Sequence, residues 1–136
     1  PRTDQTLAEA LLQPTKIYVK TVLSVMEKFA LKGAAHITGG GLLENVPRVL
    51  PKGLQAVIDP TQWKIPAIFN WVKEEGKLTA LDLYRTFNMG IGMVLIVPQD
   101  EANEVLKFVQ ALDEEAYLIG YVEKGEHGVL LTGESL

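Results

Sequence analysis

His36-Ile37-Thr38-Gly39-Gly40-Gly41-Leu42-Leu43-Glu44-Asn45-Val46-Pro47-Arg48-Val49-Leu50-Pro51 is the stretch on which the reading of this 136-residue chain turns. Three consecutive glycines cost more ordering entropy than other residues and bring no side chain to a core, so the backbone itself has a task there. They follow a short apolar run, Ala34 to Thr38, that reads as a buried strand, and they precede apolar residues at helical spacing. Strand, glycine turn and helix start together expose backbone N–H groups to a ligand, most naturally an anion such as phosphate.

Working outward, Thr6 and Glu9 make a capping-box pair for a short helix that ends before Pro14. Val19, Val22, Leu23, Met26, Phe29 and Ala30 recur at helical spacing, with Lys20, Thr21, Ser24, Glu27 and Lys28 opposite, and Gly33 ends that helix. After the glycines, Leu42, Leu43, Val46, Val49 and Leu50 share an apolar face. Pro47 is tolerated only in a first helical turn, so one loose turn and a renewed start capped by Asn45 are expected. Leu54 to Ile58 reads as a strand, Pro66 opens a helix to Gly76, and Thr79 with Asp82 caps another that stops near Phe87. Ile91 to Val97 is apolar throughout, as a central strand covered on both faces requires. Asp100 is expected to cap a helix carrying Val105, Leu106 and Val109, and Tyr117–Glu123 with Val129–Thr132 to close as a hairpin. The pattern predicts one α+β domain, a mixed sheet flanked by helices in α/β/α layers, partly ferredoxin-like.

Composition narrows the classes. With 47% hydrophobic residues the chain can bury a core, and a formal charge of −4 argues against non-specific nucleic-acid binding. The absence of cysteine excludes disulfides, thiolate catalysis and Cys-based zinc sites. No signal-peptide pattern or membrane-length apolar run is present, so a cytoplasmic protein without membrane contact is expected.

Three constellations bear on chemistry. His36 and Thr38 alternate along the incoming strand and share a side with the turn Gly39–Gly41, while Asn45 and Arg48 lie just beyond, where Arg48 completes a phosphate or carboxylate clamp. The competing reading keeps the glycines for tight strand–helix packing and His36 as a satisfied core histidine. Asn88, Gly90 and Gly92 stand between a helix end and the apolar strand; Asn88 suits a left-handed position, and the alternating glycines imply close approach of a ligand or another backbone. Thr15 and Lys16 sit near a helix N-terminus, where a capping threonine and a solvated lysine are the simpler account. Ser24 and Ser135 lack nucleophile contexts, the two histidines are far apart with no metal-ligand spacing, and His127 has no evident task. Trp63 and Trp71 read as core or interface anchors.

These residues resemble the aminoimidazole ribonucleotide synthetase (phosphoribosylformylglycinamidine cyclo-ligase) family of purine biosynthesis. The resemblance rests on His36-Ile37-Thr38-Gly39-Gly40-Gly41 and Glu44-Asn45-Val46-Pro47-Arg48-Val49-Leu50-Pro51. Pro14-Thr15-Lys16-Ile17-Tyr18, Trp63-Lys64-Ile65-Pro66 and Phe87-Asn88-Met89-Gly90-Ile91-Gly92 follow the family's other landmarks in the same order. It covers nearly the whole chain and corresponds to the family's C-terminal domain alone. The resemblance implies that the N-terminal domain, with the ATP and Mg²⁺ ligands, is expected to lie outside this sequence.

The resemblance implies an ATP-driven ring closure of formylglycinamidine ribonucleotide, with ADP and phosphate released, in a homodimeric full-length enzyme whose N-terminal domain is this chain's partner. It implies that Gly39, Gly40 and Gly41 bind an anionic group, of substrate or of ATP. His36 and Thr38 would orient that group, with Asn45 and Arg48 in support, and His36 is the one candidate catalytic residue. Thr15, Lys16, Asn88, Gly90 and Gly92 would line the cleft, with no metal ligand in this part. A Gly40→Val change is expected to abolish turnover while sparing the fold. Related synthetases and kinases of the same two-domain plan, including thiamine phosphate kinase, are the alternative, as is a non-catalytic module for a small anion or metabolite.

Overall fold

The computed structural model describes residues 18–132. The helical spacing after Tyr18 becomes α1 (Val19–Lys28), followed by strand β1 (Gly33–His36). The glycines lead into α2 (Gly41–Asn45), five residues long, and a 3-10 turn at Pro47–Val49. Strand β2 (Leu54–Ile58) occupies the expected residues, and α3 (Ala67–Gly76) and α4 (Ala80–Thr86) follow it. Then come β3 (Met93–Ile96), α5 (Ala102–Ala111), β4 (Gly120–Lys124) and β5 (Gly128–Leu131). The helix expected between Thr6 and Pro14, and the Thr15 cap, lie outside the described residues.

The α+β class holds, with the strands divided between two sheets. β1 pairs antiparallel with β3, His36 opposite Met93. In the second sheet β2 lies between β4, antiparallel to it, and β5, parallel to it. The expected closing hairpin is therefore corrected: β4 and β5 flank β2 and do not pair with each other. Their connection crosses the end of β2, where the Gly125 N–H donates to Gly53 O at 3.0 Å. A short glycine-bearing link between two strands looks like a hairpin locally, and only the long-range partner β2 reveals otherwise.

Two cores explain the apolar β3. Val94 and Ile96 pack into the larger one, with Leu42, Val46, Ile58, Leu83 and Tyr84. Leu95 and Val97 face the smaller one, where Val25 of α1 meets Val105 and Val109 of α5. Both faces of β3 are thus covered, as its composition requires, although β1 is its only strand partner among the described residues. Leu42 and Leu83 are fully buried, each side chain contributing roughly 1.5–3 kcal/mol of transfer free energy. Trp63 acts as a core anchor, its indole N–H donating to Met89 O at 3.1 Å.

Three local expectations change. α1 is apolar on more than one side: Val25 is buried, whereas Val19, Leu23 and Met26 of the expected core face are 64%, 53% and 56% exposed. Asp100 lies inside a 3-10 turn (Gln99–Glu101) rather than capping α5. Asn45 does not cap the renewed turn, whose cap position is Val46. By contrast Thr79 and Asp82 form the full reciprocal capping box.

Hydrogen bonds from the Thr79 backbone N–H first, and its hydroxyl second, hold the Asp82 carboxyl below the usual aspartate range. A lowered folded-state pKa stabilises the fold above the unfolded value and ceases to do so as pH falls through the folded one. Wild type is expected to exceed Asp82→Asn in urea midpoint at neutral pH, with the gap closing below about pH 4. A second test concerns Gly41, at φ 61, where an added Cβ would meet the carbonyl oxygens of Tyr84 and Phe87. Gly41→Ala is expected to lower unfolding free energy by about 3 kcal/mol. At Gly39 an added Cβ meets nothing, so Gly39→Ala should cost less than about 1 kcal/mol.

Candidate functional site

The three glycines have three different tasks. The Gly41 N–H donates to Thr38 O at 3.0 Å, closing the turn. Its missing side chain lets α2 lie against the end of α4. This amide is therefore not offered to a ligand, which corrects one third of the expected nest. Gly40 takes the left-handed conformation, φ 93, and its face is occupied by the Glu44 side chain. Gly39 is exposed and open. The N–H groups of Gly39 and Gly40 have no acceptor among the described residues.

Asn45 holds this arrangement. It is buried, and its Nδ2 donates to Gly41 O at 2.8 Å, Gly39 O at 3.2 Å and Thr38 O at 3.3 Å. Its side chain is a strut that draws the loop carbonyls inward. Oδ1 of Asn45 accepts from Arg48 Nη1 at 3.5 Å, which places the exposed guanidinium beside the turn. The five residues of α2 give too few aligned peptides for a full macrodipole. The polar groups left at the turn are the Gly39 and Gly40 amides and the Arg48 guanidinium, with the Glu44 side chain folded over Gly40.

His36 is exposed rather than packed beneath the sheet, and its ring meets Tyr18 edge-on, centroids 6.3 Å apart. It lines an open cavity of about 690 Å³ with Tyr18, Thr21, Asn88, Gly90 and Gly92. Pro66 and Tyr117 lie along it as well. Thr38, Gly39, Gly40, Gly41, Asn45 and Arg48 are not among its lining residues. The expected site thus falls on two surfaces that meet along β1: the turn with Arg48, and the cavity with His36.

The second glycine pair is filled by this chain. A Cβ on Gly92 would meet the Tyr18 ring, and one on Gly90 would meet Pro66 Cδ at 2.6 Å. Asn88 does not take the left-handed position; Met89 does, at φ 56, while Asn88 Oδ1 accepts from the Gly90 N–H at 2.9 Å. Thr15 and Lys16 lie outside the described residues. Two contacts escaped the sequence reading: Glu44 folding back over Gly40, and His127 Nε2 against Pro47 O at 2.9 Å and Leu50 O at 3.2 Å. The acidic residue three to four places after a glycine turn was a visible signal for the first. Nothing local announces the second.

Two cores and two small sheets around a glycine turn define an α+β domain, and comparison fixes the family. The chain belongs to the family described as AIR synthase related protein, C-terminal domain, which matches residues 1–132. It is 48% identical over 128 residues to a protein of Geotalea daltonii named phosphoribosylformylglycinamidine cyclo-ligase, covering 94% of this chain and 37% of that protein. Proteins of the same name from Caldicellulosiruptor bescii and Geobacillus sp. are 50% and 52% identical, covering 92% and 96% of this chain and 37% of each relative. The chain therefore spans 37% of the length of these relatives. Among solved structures, E. coli HypE, a hydrogenase maturation protein, aligns with TM-score 0.67 at 22% identity over 93% of this chain and 40% of its own. Thiamine-monophosphate kinase from Stenotrophomonas maltophilia K279a gives 0.64 at 18%, over 98% and 42%. These last two likenesses establish the fold.

The opposing charges at the turn yield a signed test. In phosphate titrations followed by calorimetry, Arg48→Ala should weaken binding about tenfold, the loss of one charge-assisted pair. Glu44→Gln should strengthen it, because the competing carboxylate charge is removed.

Proposed function

We propose that this chain is the C-terminal domain of an enzyme that uses ATP to cyclise formylglycinamidine ribonucleotide to aminoimidazole ribonucleotide, with release of ADP and phosphate. The observation that carries the reading is the 48–52% identity to proteins named for that ligase over 92–96% of the chain. The same reading includes an upstream domain as partner, a homodimeric full-length enzyme and a cytoplasmic setting. No helix among the described residues is long and apolar enough to cross a membrane. The exposed Val19, Leu23 and Met26 are consistent with a face that a further domain covers.

ATP, when bound, supplies the phosphoryl group that makes the formyl oxygen a leaving group. The residues of this chain suit a phosphoryl or phosphate oxygen: two glycine amides that have no acceptor among the described residues, and the Arg48 guanidinium beside the buried Asn45. Thr38, exposed beside them, adds a hydroxyl. His36 faces the adjoining cavity, where it can orient the part of the substrate that reacts. Among the described residues no three His, Asp or Glu side chains converge, so this reading assigns the Mg²⁺ ligands to the upstream domain. Positioning and charge stabilisation are what such a reaction asks of a protein, and no nucleophilic side chain is needed.

The test is made on the full-length enzyme. ATP-dependent ring closure of formylglycinamidine ribonucleotide is expected, with Gly39→Val raising KM about tenfold while the thermal midpoint stays within about 2 °C. Gly39 replaces Gly40 as the informative position, because valine at Gly40 would meet Glu44 and strain a left-handed backbone. Turnover of a different phosphorylated substrate in preference to this one would favour a related synthetase or kinase.

A further inference from the structure

His127 lies on the link between β4 and β5, far in sequence from the glycine turn. That link crosses the end of β2 and is pinned there by the Gly125 N–H on Gly53 O, 3.0 Å. The crossing carries the imidazole to the 3-10 turn at Pro47–Val49, where Nε2 lies 2.9 Å from Pro47 O and 3.2 Å from Leu50 O. Both partners are carbonyl oxygens, which only accept, so Nε2 carries a hydrogen and donates to the pair. The two carbonyls bracket Arg48. One already closes the turn by accepting the Leu50 N–H at 3.1 Å.

We propose that His127 is a positioning residue for the anion clamp: it locks the turn that aims Arg48 at the glycine loop. The proposal rests on the reading of Arg48 as the clamp's cation. Short 3-10 turns are weakly held by their own hydrogen bonds. A donor shared between both ends of this one fixes the backbone of Arg48 from outside, while Asn45 Oδ1 meets its Nη1 at 3.5 Å. Without His127 the turn keeps its sequence but loses its external brace, and the guanidinium samples more orientations. Binding of the phosphorylated substrate should suffer, while the reacting atoms, which His127 does not approach, should not. The link between β4 and β5 thereby ties the second sheet to the turn that carries Arg48.

The experiment uses the full-length enzyme with formylglycinamidine ribonucleotide and compares His127→Ala, His127→Gln and Arg48→Ala. The Gln amide nitrogen occupies nearly the position of Nε2 and also donates. His127→Ala is expected to raise KM for that substrate about tenfold with kcat within twofold, the pattern of lost uniform binding. His127→Gln should restore KM to within twofold of wild type. A general loosening of the fold would not be rescued selectively in KM. Unchanged KM in His127→Ala, alongside a raised KM in Arg48→Ala, overturns the brace while leaving the clamp standing. A folded His127→Gln as impaired as His127→Ala overturns it also. Unchanged KM in Arg48→Ala removes the clamp, and with it the proposal.

Discussion

One buried amide organises the glycine-turn end of this domain. Asn45 Nδ2 gathers the carbonyls of Thr38, Gly39 and Gly41 within 3.3 Å, and a carbonyl turned inward leaves its neighbouring N–H groups facing the other way. The interaction is costly to leave unmade, because a buried donor without acceptors forfeits its hydration. It also fixes Oδ1 toward Arg48, so one side chain holds three backbone carbonyls and a guanidinium. Leucine there would fill the space and release the loop; aspartate would repel the same carbonyls. The glycine triplet is therefore intelligible only together with the asparagine that follows it.

The remaining architecture sets that loop in place. β1 delivers it from a two-stranded ribbon whose Ala35 enters the larger core, α2 returns the chain into that core, and the lack of a Cβ at Gly41 lets α2 lie against α4. Small residues at close approaches recur: Gly90 beneath Pro66 and Gly92 beneath Tyr18 seat the chain's own rings along the His36 cavity. Both glycines line that cavity, as their cleft-lining place in the sequence implies. Turn and cavity are neighbours through the two residues that separate His36 from Gly39.

Much of this was legible in the sequence where the cause is local. β2 was read at its true limits, and the Thr79–Asp82 capping box was read from two residues. The helix around Val19–Lys28 was found, but its buried side was misread, because Val25 and Val19–Leu23–Met26 offer two apolar faces and only packing on α5 chooses between them. The expected hairpin failed because β2, some sixty residues earlier, intervenes between β4 and β5. The glycine triplet was legible as a turn between strand and helix. The division of labour among three identical residues was not, since it depends on Tyr84, Phe87 and Glu44 meeting them in space. His127 was invisible for the same reason: its partners lie 77 and 80 residues away.

The central claim is that Asn45 turns the Gly39 and Gly40 amides outward to meet an anion while the Gly41 amide stays engaged with Thr38. Amide-resolved NMR of the ¹⁵N-labelled chain during titration with inorganic phosphate tests it most directly. The account predicts saturable shifts at Gly39 and Gly40, with Gly41 nearly still and slow to exchange its hydrogen, and loss of those shifts in Asn45→Leu. Motionless Gly39 and Gly40 signals at saturating phosphate, or a Gly41 amide that responds as strongly as they do, would contradict it.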